Sequence, residues 1–210
     1  MRRVVLVLGA MALALLLASG VAWAVNEIGT NGPDTLRGTN SADNLLGRGA
    51  NDILLGSGGT DNLLGGPGKD IVLGGDKHRL SGGDKNLVGG SGNDSIIGGR
   101  GSDNILGQEG NDLVVDGPVR EFATDELSAG DGNDVIAVAN RPAFEDILTC
   151  GGGFDRVLAD RKDVLAPDCE KVFFGLGSLK SFEESISQSF FEGLHPRACK
   201  FLPLSGCVPR

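Results

Sequence analysis

The sequence predicts an all-β fold, a parallel β-roll (a β-helix solenoid) of nonapeptide repeats. Three observations support this prediction: an aspartate recurs every nine residues, an aliphatic residue follows it two positions later, and glycines precede it. A fixed internal period is the signature of a repeat architecture and outranks other local signals. The recurring aspartates are Asp34, Asp43, Asp52, Asp61, Asp70, Asp94, Asp103 and Asp112, and the pattern returns once at Asp134.

The segment GGPGKDIVL, residues 65–73, shows how one repeat is built. Glycines stand at its first, second and fourth places, where a tight turn requires positive φ or almost no side-chain volume. The following strand, residues 71–73, is too short to be stable alone and gains hydrogen bonds only by stacking on the equivalent strand of another repeat. We therefore expect the repeats to stack, with their aliphatic residues forming a continuous internal ladder.

The N-terminus has the pattern of a secretory signal peptide. Two arginines precede an apolar run over residues 4–17, and residues 22–24, AWA, resemble a cleavage site. The apolar run is shorter than the ~20 residues of a membrane-spanning helix, so a membrane anchor is the weaker alternative. We expect a signal peptide at 1–24, a secreted mature chain, and no membrane span after cleavage.

Stacking of the repeats would bring the recurring carboxylates together. Hydrogen-bonded strands lie about 4.8 Å apart, so equivalent aspartates of neighbouring coils repel each other unless a cation separates them. The midpoint lies roughly 2.4 Å from each carboxylate, which fits calcium–oxygen distances of ~2.3–2.6 Å and is long for magnesium. Carbonyl oxygens of the glycine-rich turns are further hard ligands. The pattern therefore predicts that the repeat aspartates bind Ca²⁺.

The segments GGPGKDIVL, GGSGNDSII and GGRGSDNIL resemble the RTX, or haemolysin-type, calcium-binding nonapeptide repeat, G-G-x-G-x-D-x-(aliphatic)-x. The resemblance covers residues 29–115. It implies a β-roll in which two nonapeptides complete one coil and calcium lies between loops two units apart. Asp34, Asp52 and Asp70 would then line one edge, and Asp43 and Asp61 the other. The turn glycines that the resemblance adds to the candidate metal site are Gly66, Gly68, Gly90, Gly92, Gly99 and Gly101.

Two short units, GGDKHRLS and GGDKNLV, interrupt the period between residues 74 and 88. We interpret them as degenerate coils that lack the G-x-D ending of the turn; the alternative is that their lysines replace a metal ion. On this interpretation the calcium row is interrupted after Asp70 on one edge and after Asp61 on the other. The aliphatic ladder is expected to continue through Leu80 and Leu87.

The sequence also predicts how the roll ends. It is expected to occupy residues 25–140, with a loop insertion near 116–128 and one further coil at 129–136. Closing coils and a cap are expected at 141–180, beginning with a late unit at 150–157. A cap of some kind is needed because the last strand edge of a solenoid would otherwise be bare.

The run from Cys150 to Glu170 resembles the closing segment of secreted bacterial calcium-binding RTX-like proteins. The resemblance implies that Cys150 and Cys169 form a disulfide that ends the solenoid. Four cysteines allow three pairings, of which sequence proximity favours Cys150–Cys169 with Cys199–Cys207.

Residues 181–210 differ in character and are expected to hold one short helix and a cysteine loop. Phe182, Ile186 and Phe190 recur at helical spacing after Ser181, and Gly193 is a plausible stop, which predicts a helix at 182–192. Its apolar face is expected to pack on the end of the roll; a membrane-binding or partner-binding face is the alternative.

The motifs of common enzymes are absent from the sequence. It contains no H-E-x-x-H, no G-x-S-x-G and no Walker loop, and its glycine-rich turns precede strands rather than helices. The net charge of −9 gives no basic footprint for nucleic acid. We therefore expect a non-catalytic, extracellular calcium-binding structural protein. The alternatives are an adhesion protein with an unknown cell-surface or matrix partner and, with less support, a lyase or hydrolase.

Overall fold

The structure, a computed structural model, describes residues 24–75, 83–84, 86–117, 123–140, 143–175 and 180–181. Sixteen short strands follow one another along these residues. The expected signal peptide, the helix at 182–192 and the Cys199–Cys207 bond lie outside the described residues. Within them, no helix has the length and apolarity needed to cross a membrane.

The strands alternate between two sheets. Sheet A contains β1 (Asn26–Ile28), β3 (Asn44–Leu46), β5 (Asn62–Pro67), β7 (Asn86–Ser91), β9 (Asn104–Glu109), β11 (Glu126–Gly132), β13 (Ile147–Gly153) and β15 (Val164–Leu165). Sheet B contains β2 (Thr35–Arg37), β4 (Ile53–Ser57), β6 (Ile71–Gly75), β8 (Ser95–Ile97), β10 (Leu113–Val115), β12 (Val135–Ala137), β14 (Arg156–Ala159) and β16 (Lys171–Phe174).

Every strand pairs in parallel with the strand two places further along the chain. Asn26 pairs with Asn44 in sheet A, and Thr35 pairs with Ile53 in sheet B. Each partner lies 18 residues further along the chain, so one coil contains two nonapeptides. This confirms the predicted all-β solenoid. The strands form two layers because each nonapeptide contributes one turn and one strand, so consecutive strands lie in opposite sheets.

The core is the predicted ladder of aliphatic side chains between the two sheets. Most strands contribute one inward residue to it, and alternation along the strand sends the two neighbours of that residue outward. Strands β11, β13 and β14 add a second buried residue each, Ala129, Cys150 and Ala159. The ladder in sheet A is Leu45, Leu63, Leu87, Ile105, Leu127 and Leu148; in sheet B it is Leu36, Leu54, Val72, Ile96, Val114, Ile136 and Val157. All of these side chains are buried, which confirms the stacking inferred from the period.

The outward faces of the two sheets differ. On sheet A the outward column begins with asparagines, and Asn86 Nδ2 donates to Asn62 Oδ1 over 3.2 Å while Asn104 Nδ2 donates to Asn86 Oδ1 over 3.1 Å. On sheet B the outward residues of β2, Thr35 and Arg37, are exposed, whereas those of β10, Leu113 and Val115, are apolar and buried. The outward face of sheet A is mixed, because it also carries exposed aliphatic side chains such as Leu64 and Ile147.

The interpretation of residues 74–88 as two degenerate coils is wrong. Strand β7 pairs directly with β5, with Leu87 opposite Leu63, so among the described residues this stretch adds one strand, β7, where two were expected. The separation between equivalent residues rises from 18 to 24 at this coil. Leu87 continues the ladder as expected, and Leu80 lies outside the described residues.

The expected loop near 116–128 is shorter than predicted, because β11 already begins at Glu126. The closing coils extend the same two sheets to Phe174. The disulfide between Cys150 and Cys169 is confirmed, with an S–S distance of 2.05 Å. Cys150 precedes Gly151, which pairs with Gly130, so it occupies the first-glycine place of its turn and joins the roll to the last coil.

Candidate metal centre

The repeat aspartates form two continuous ladders, one along each edge of the roll. In each ladder, carboxylate oxygen Oδ1 accepts a hydrogen bond from the backbone N–H of the aspartate one coil earlier. The A ladder, whose members precede the strands of sheet A, is Asp43, Asp61, Asp84, Asp103, Asp125, Asp146 and Asp163. The B ladder is Asp34, Asp52, Asp70, Asp94, Asp112, Asp134 and Asp155, followed by Glu170.

These ladders confirm that alternate aspartates lie on opposite edges. The N–H of Asp52 donates to Oδ1 of Asp70 over 2.8 Å, and the N–H of Asp43 donates to Oδ1 of Asp61 over the same distance. Because the backbone N–H would otherwise be buried without a partner, the aspartate stabilises the turn even before any metal is considered. From the sequence, the carboxylates were predicted to bind calcium alone, and this backbone role was not predicted.

The second oxygen of most ladder carboxylates has no hydrogen-bond partner. The aspartates that are buried and whose Oδ2 has no partner include Asp52, Asp61, Asp70, Asp94, Asp112 and Asp134. A buried charged oxygen without a hydrogen bond is unfavourable unless a cation or a proton compensates it. The donor set is therefore the one that calcium prefers, hard carboxylate oxygens beside turn carbonyls.

The first glycine of each turn leaves the space in which this oxygen lies. A Cβ placed on Gly47 would approach Oδ2 of Asp52 to 2.5 Å and the carbonyl oxygen of Gly65 to 2.6 Å. The carboxylate of one turn and a carbonyl of the next coil thus converge beside the same glycine. A side chain on Gly47 would therefore displace one of these two oxygens.

The six turn glycines proposed from the sequence all have positive φ, from 104° at Gly101 to 152° at Gly68. A Cβ on Gly90 would collide with the carbonyl oxygen of Gly66 in the preceding coil, and one on Gly92 with that of Gly68. The carbonyl groups of these turns therefore stack in rows along the edge. Arg48, Ser57 and Gln108 adopt the same left-handed conformation at the second place, so these three departures from glycine keep the turn.

The first two turns are built differently. Thr30 and Thr39 occupy the second place without positive φ, and their backbone N–H groups donate to Oδ2 of Asp34 and of Asp43, each over 2.5 Å. Their hydroxyl groups also lie within hydrogen-bond distance of these carboxylates, at 3.0 Å and 3.2 Å. The carboxylates of Asp34 and Asp43 are therefore already satisfied by protein donors, unlike those of Asp52 and Asp61.

Burial raises the pKa of the ladder carboxyls. It raises the pKa of Asp61 and of Asp70 to about 6, that of Asp94 to about 7, and that of Asp112 to about 8. The neighbouring aspartates of the ladder add to the rise, and the backbone hydrogen bond lowers the pKa in part. Without a cation, a row of such groups resists ionisation at neutral pH.

The structure adds ladder members that the sequence analysis did not propose. Asp84 fills the A ladder where an interruption was predicted: Asp61 N–H donates to its Oδ1 over 2.8 Å, and its own N–H donates to Oδ1 of Asp103 over 2.6 Å. Asp125, Asp146, Asp155 and Asp163 also belong to the ladders. A signal for these four was present, since each aspartate precedes an aliphatic residue by two positions.

The comparison with known families agrees with this geometry. The family described as RTX calcium-binding nonapeptide repeat matches the chain in four copies, at residues 28–63, 47–76, 81–114 and 123–137. No curated protein and no solved structure shows significant similarity to the chain.

Proposed function

Because the chain belongs to the family of RTX calcium-binding nonapeptide repeat proteins, we propose that it is an extracellular structural protein whose roll folds around calcium ions. The observation that carries this proposal is the row of buried Oδ2 atoms without hydrogen-bond partners along both edges. Calcium would neutralise the stacked carboxylates and so remove the repulsion and desolvation that oppose folding.

The residues that would hold the ions are the ladder aspartates and the carbonyl groups of the adjoining turns. In the proposed sites, Asp52, Asp61, Asp70, Asp94, Asp103, Asp112 and Asp134 supply carboxylates, and the turns that contain Gly66, Gly68, Gly90, Gly92, Gly99 and Gly101 supply carbonyl oxygens. Asp34 and Asp43 are included as weaker ligands, because threonine N–H groups already donate to their Oδ2 atoms.

An extracellular setting is proposed from two features. Residues 1–24 have the composition of a secretory signal peptide. The Cys150–Cys169 disulfide is typical of proteins that fold in an oxidising compartment. Calcium sites of extracellular modules bind at ~10⁻⁴–10⁻³ M, so the proposed ions would be retained at millimolar calcium and lost at cytosolic levels.

We propose a structural role rather than a catalytic one. The abundant carboxylates belong to ladders in which each one caps a backbone N–H, and this periodic arrangement explains them without general acid–base chemistry. The two histidines of the chain, His78 and His195, lie outside the described residues. Adhesion to a cell-surface or matrix partner has less support, because the asparagine amides on the outward face of sheet A hydrogen-bond to one another.

A calcium titration of the mature chain, followed by far-UV circular dichroism, tests the proposal. We expect the β signal to develop between about 0.1 and 1 mM calcium and to disappear on chelation. Magnesium at equal concentration is the matched control and should be less effective, since it requires shorter bonds and a stricter geometry. Identical spectra in chelator and in excess calcium would contradict calcium-coupled folding.

A further inference from the structure

One buried cluster joins two carboxylates of the A ladder to a third that lies outside the ladders. Asp116, Asp125 and Asp146 each offer a carboxylate oxygen, and these three oxygens all lie within 4.8 Å of one another. The three residues are at most 3% exposed. Asp125 and Asp146 are consecutive members of the A ladder, whereas Asp116 enters from the end of β10.

Asp116 stands where the earlier coils of this edge have the first glycine, and where the two later coils have Val138 and Ala159. The N–H of Gly98 donates to the carbonyl oxygen of Val115, and a Cβ on Gly98 would collide with the carbonyl oxygen of Asp116, so Gly98 and Asp116 occupy equivalent places in neighbouring coils. In the glycine-containing turns this place leaves space beside the ladder carboxylate. Here the space receives a third carboxylate.

Two further oxygens make the cluster a set of hard donors. The Oδ2 atom of Asp125 is buried without a hydrogen-bond partner, and so is Oδ1 of Asn140, which is 4% exposed. The Asn140 side chain is held in the cluster, because its Nδ2 donates to Oδ2 of Asp146 over 2.9 Å and to Oδ2 of Asp116 over 3.1 Å. Both unpartnered oxygens thus belong to side chains of the cluster.

We propose that Asp116, Asp125, Asp146 and Asn140 form a separate calcium site that is specific to this coil. Its donor set is made of side-chain oxygens, three carboxylates and one amide, and so differs from a repeat turn, in which backbone carbonyl groups assist one ladder carboxylate. The proposal rests on calcium as the ion of the roll. The site fixes the start of β11, which begins at Glu126, ten residues after Asp116, whereas β9 begins at Asn104, six residues after Gly98.

Calcium stoichiometry measured by native mass spectrometry and by isothermal titration calorimetry on the mature chain tests this site. Asp116→Gly restores the residue of the equivalent turns and should keep the fold. We expect it to bind one calcium fewer than the unsubstituted chain while its calcium-dependent far-UV transition is retained. Asp116→Asn keeps the side-chain volume and should lose the same ion.

Glu126→Gln is the matched control, because it removes one negative charge beside Asp125 from an exposed side chain. It should leave the stoichiometry unchanged. Unchanged stoichiometry and affinity in Asp116→Gly would overturn this site and leave the repeat sites standing. If the unsubstituted chain bound no calcium, the proposed function itself would fail, and this site with it.

Discussion

The backbone N–H of Asp61 donates a hydrogen bond to Oδ1 of Asp84 over 2.8 Å. The two aspartates are 23 residues apart in the sequence, whereas Asp43 and Asp61 of the preceding step are 18 residues apart. Asp84 also donates its own backbone N–H to Oδ1 of Asp103, so the A ladder is continuous.

Continuity of this ladder predicts that Asp84→Ala destabilises the roll as strongly as Asp61→Ala. Each substitution leaves one buried N–H of the preceding coil unpaired, at a cost of ~1–3 kcal/mol, and removes one proposed calcium ligand. Asp131→Asn, on an exposed side chain, is the control. Denaturant unfolding in millimolar calcium measures both. An Asp84→Ala variant as stable as the Asp131→Asn control would contradict the continuous ladder.

The threonine turns predict unequal contributions from the proposed calcium ligands. Asp43→Asn should change the calcium midpoint of folding less than Asp61→Asn, since Thr39 already donates to Oδ2 of Asp43 whereas Oδ2 of Asp61 has no partner. The same comparison in chelator shows the contribution without the metal. An equal shift of the calcium midpoint for both variants would count against this assignment.

At the second place of the turn, removing a glycine and introducing one should have different effects on the stability of the roll. Gly66→Ala should destabilise the roll by ~1–3 kcal/mol, because alanine at this positive φ is strained and its Cβ would collide with the carbonyl oxygen of Arg48. Arg48→Gly should be neutral or slightly stabilising, since Arg48 already has a φ of 84°. Thermal unfolding of the two variants and of the unsubstituted chain measures both effects. A Gly66→Ala variant with an unchanged melting temperature would contradict the prediction and show that the turn can relax.

The raised pKa values predict the effect of pH in chelator. The folded pKa of Asp112, about 8, and that of Asp94, about 7, lie above the ordinary value of 3.8, so the folded roll retains protons that the unfolded chain releases. The stability of the metal-free roll should therefore fall as pH rises from about 4 to 8. In calcium the dependence should reverse, because the ion competes with protons and its apparent affinity falls as the solution is acidified. Circular dichroism of both series at pH 5 and 8 tests the sign, and stability that rises with pH in chelator would contradict it.

Much of the fold could be predicted from the sequence because one short rule repeats. The nine-residue period determines which aliphatic residue faces inward, and parallel stacking of identical units then determines the register. Leu54 and Leu63 were placed in the core on this basis, and both are fully buried. The alternation of Asp52 and Asp61 between the two edges follows from the same period.

The features that were missed are those in which a turn changes length or chemistry. Asp84 remains in the A ladder although it precedes Leu87 by three residues, whereas Asp61 precedes Leu63 by two. The nine-residue period alone cannot predict that β7 still pairs with β5 in the same register. The capping of Asp43 by Thr39 depends on the sign of φ at the second place, which the residue type does not determine, since Arg48 there is left-handed and Thr39 is not.

Crystals of the mature chain grown in millimolar calcium, with anomalous scattering recorded near the sulfur and calcium edges, test the central claim most directly. We predict anomalous peaks along both ladders at calcium–oxygen distances of ~2.3–2.6 Å from the Oδ2 atoms that lack partners, those of Asp52, Asp70 and Asp94 among them. Ordered ladders without anomalous density at these oxygens would contradict the account.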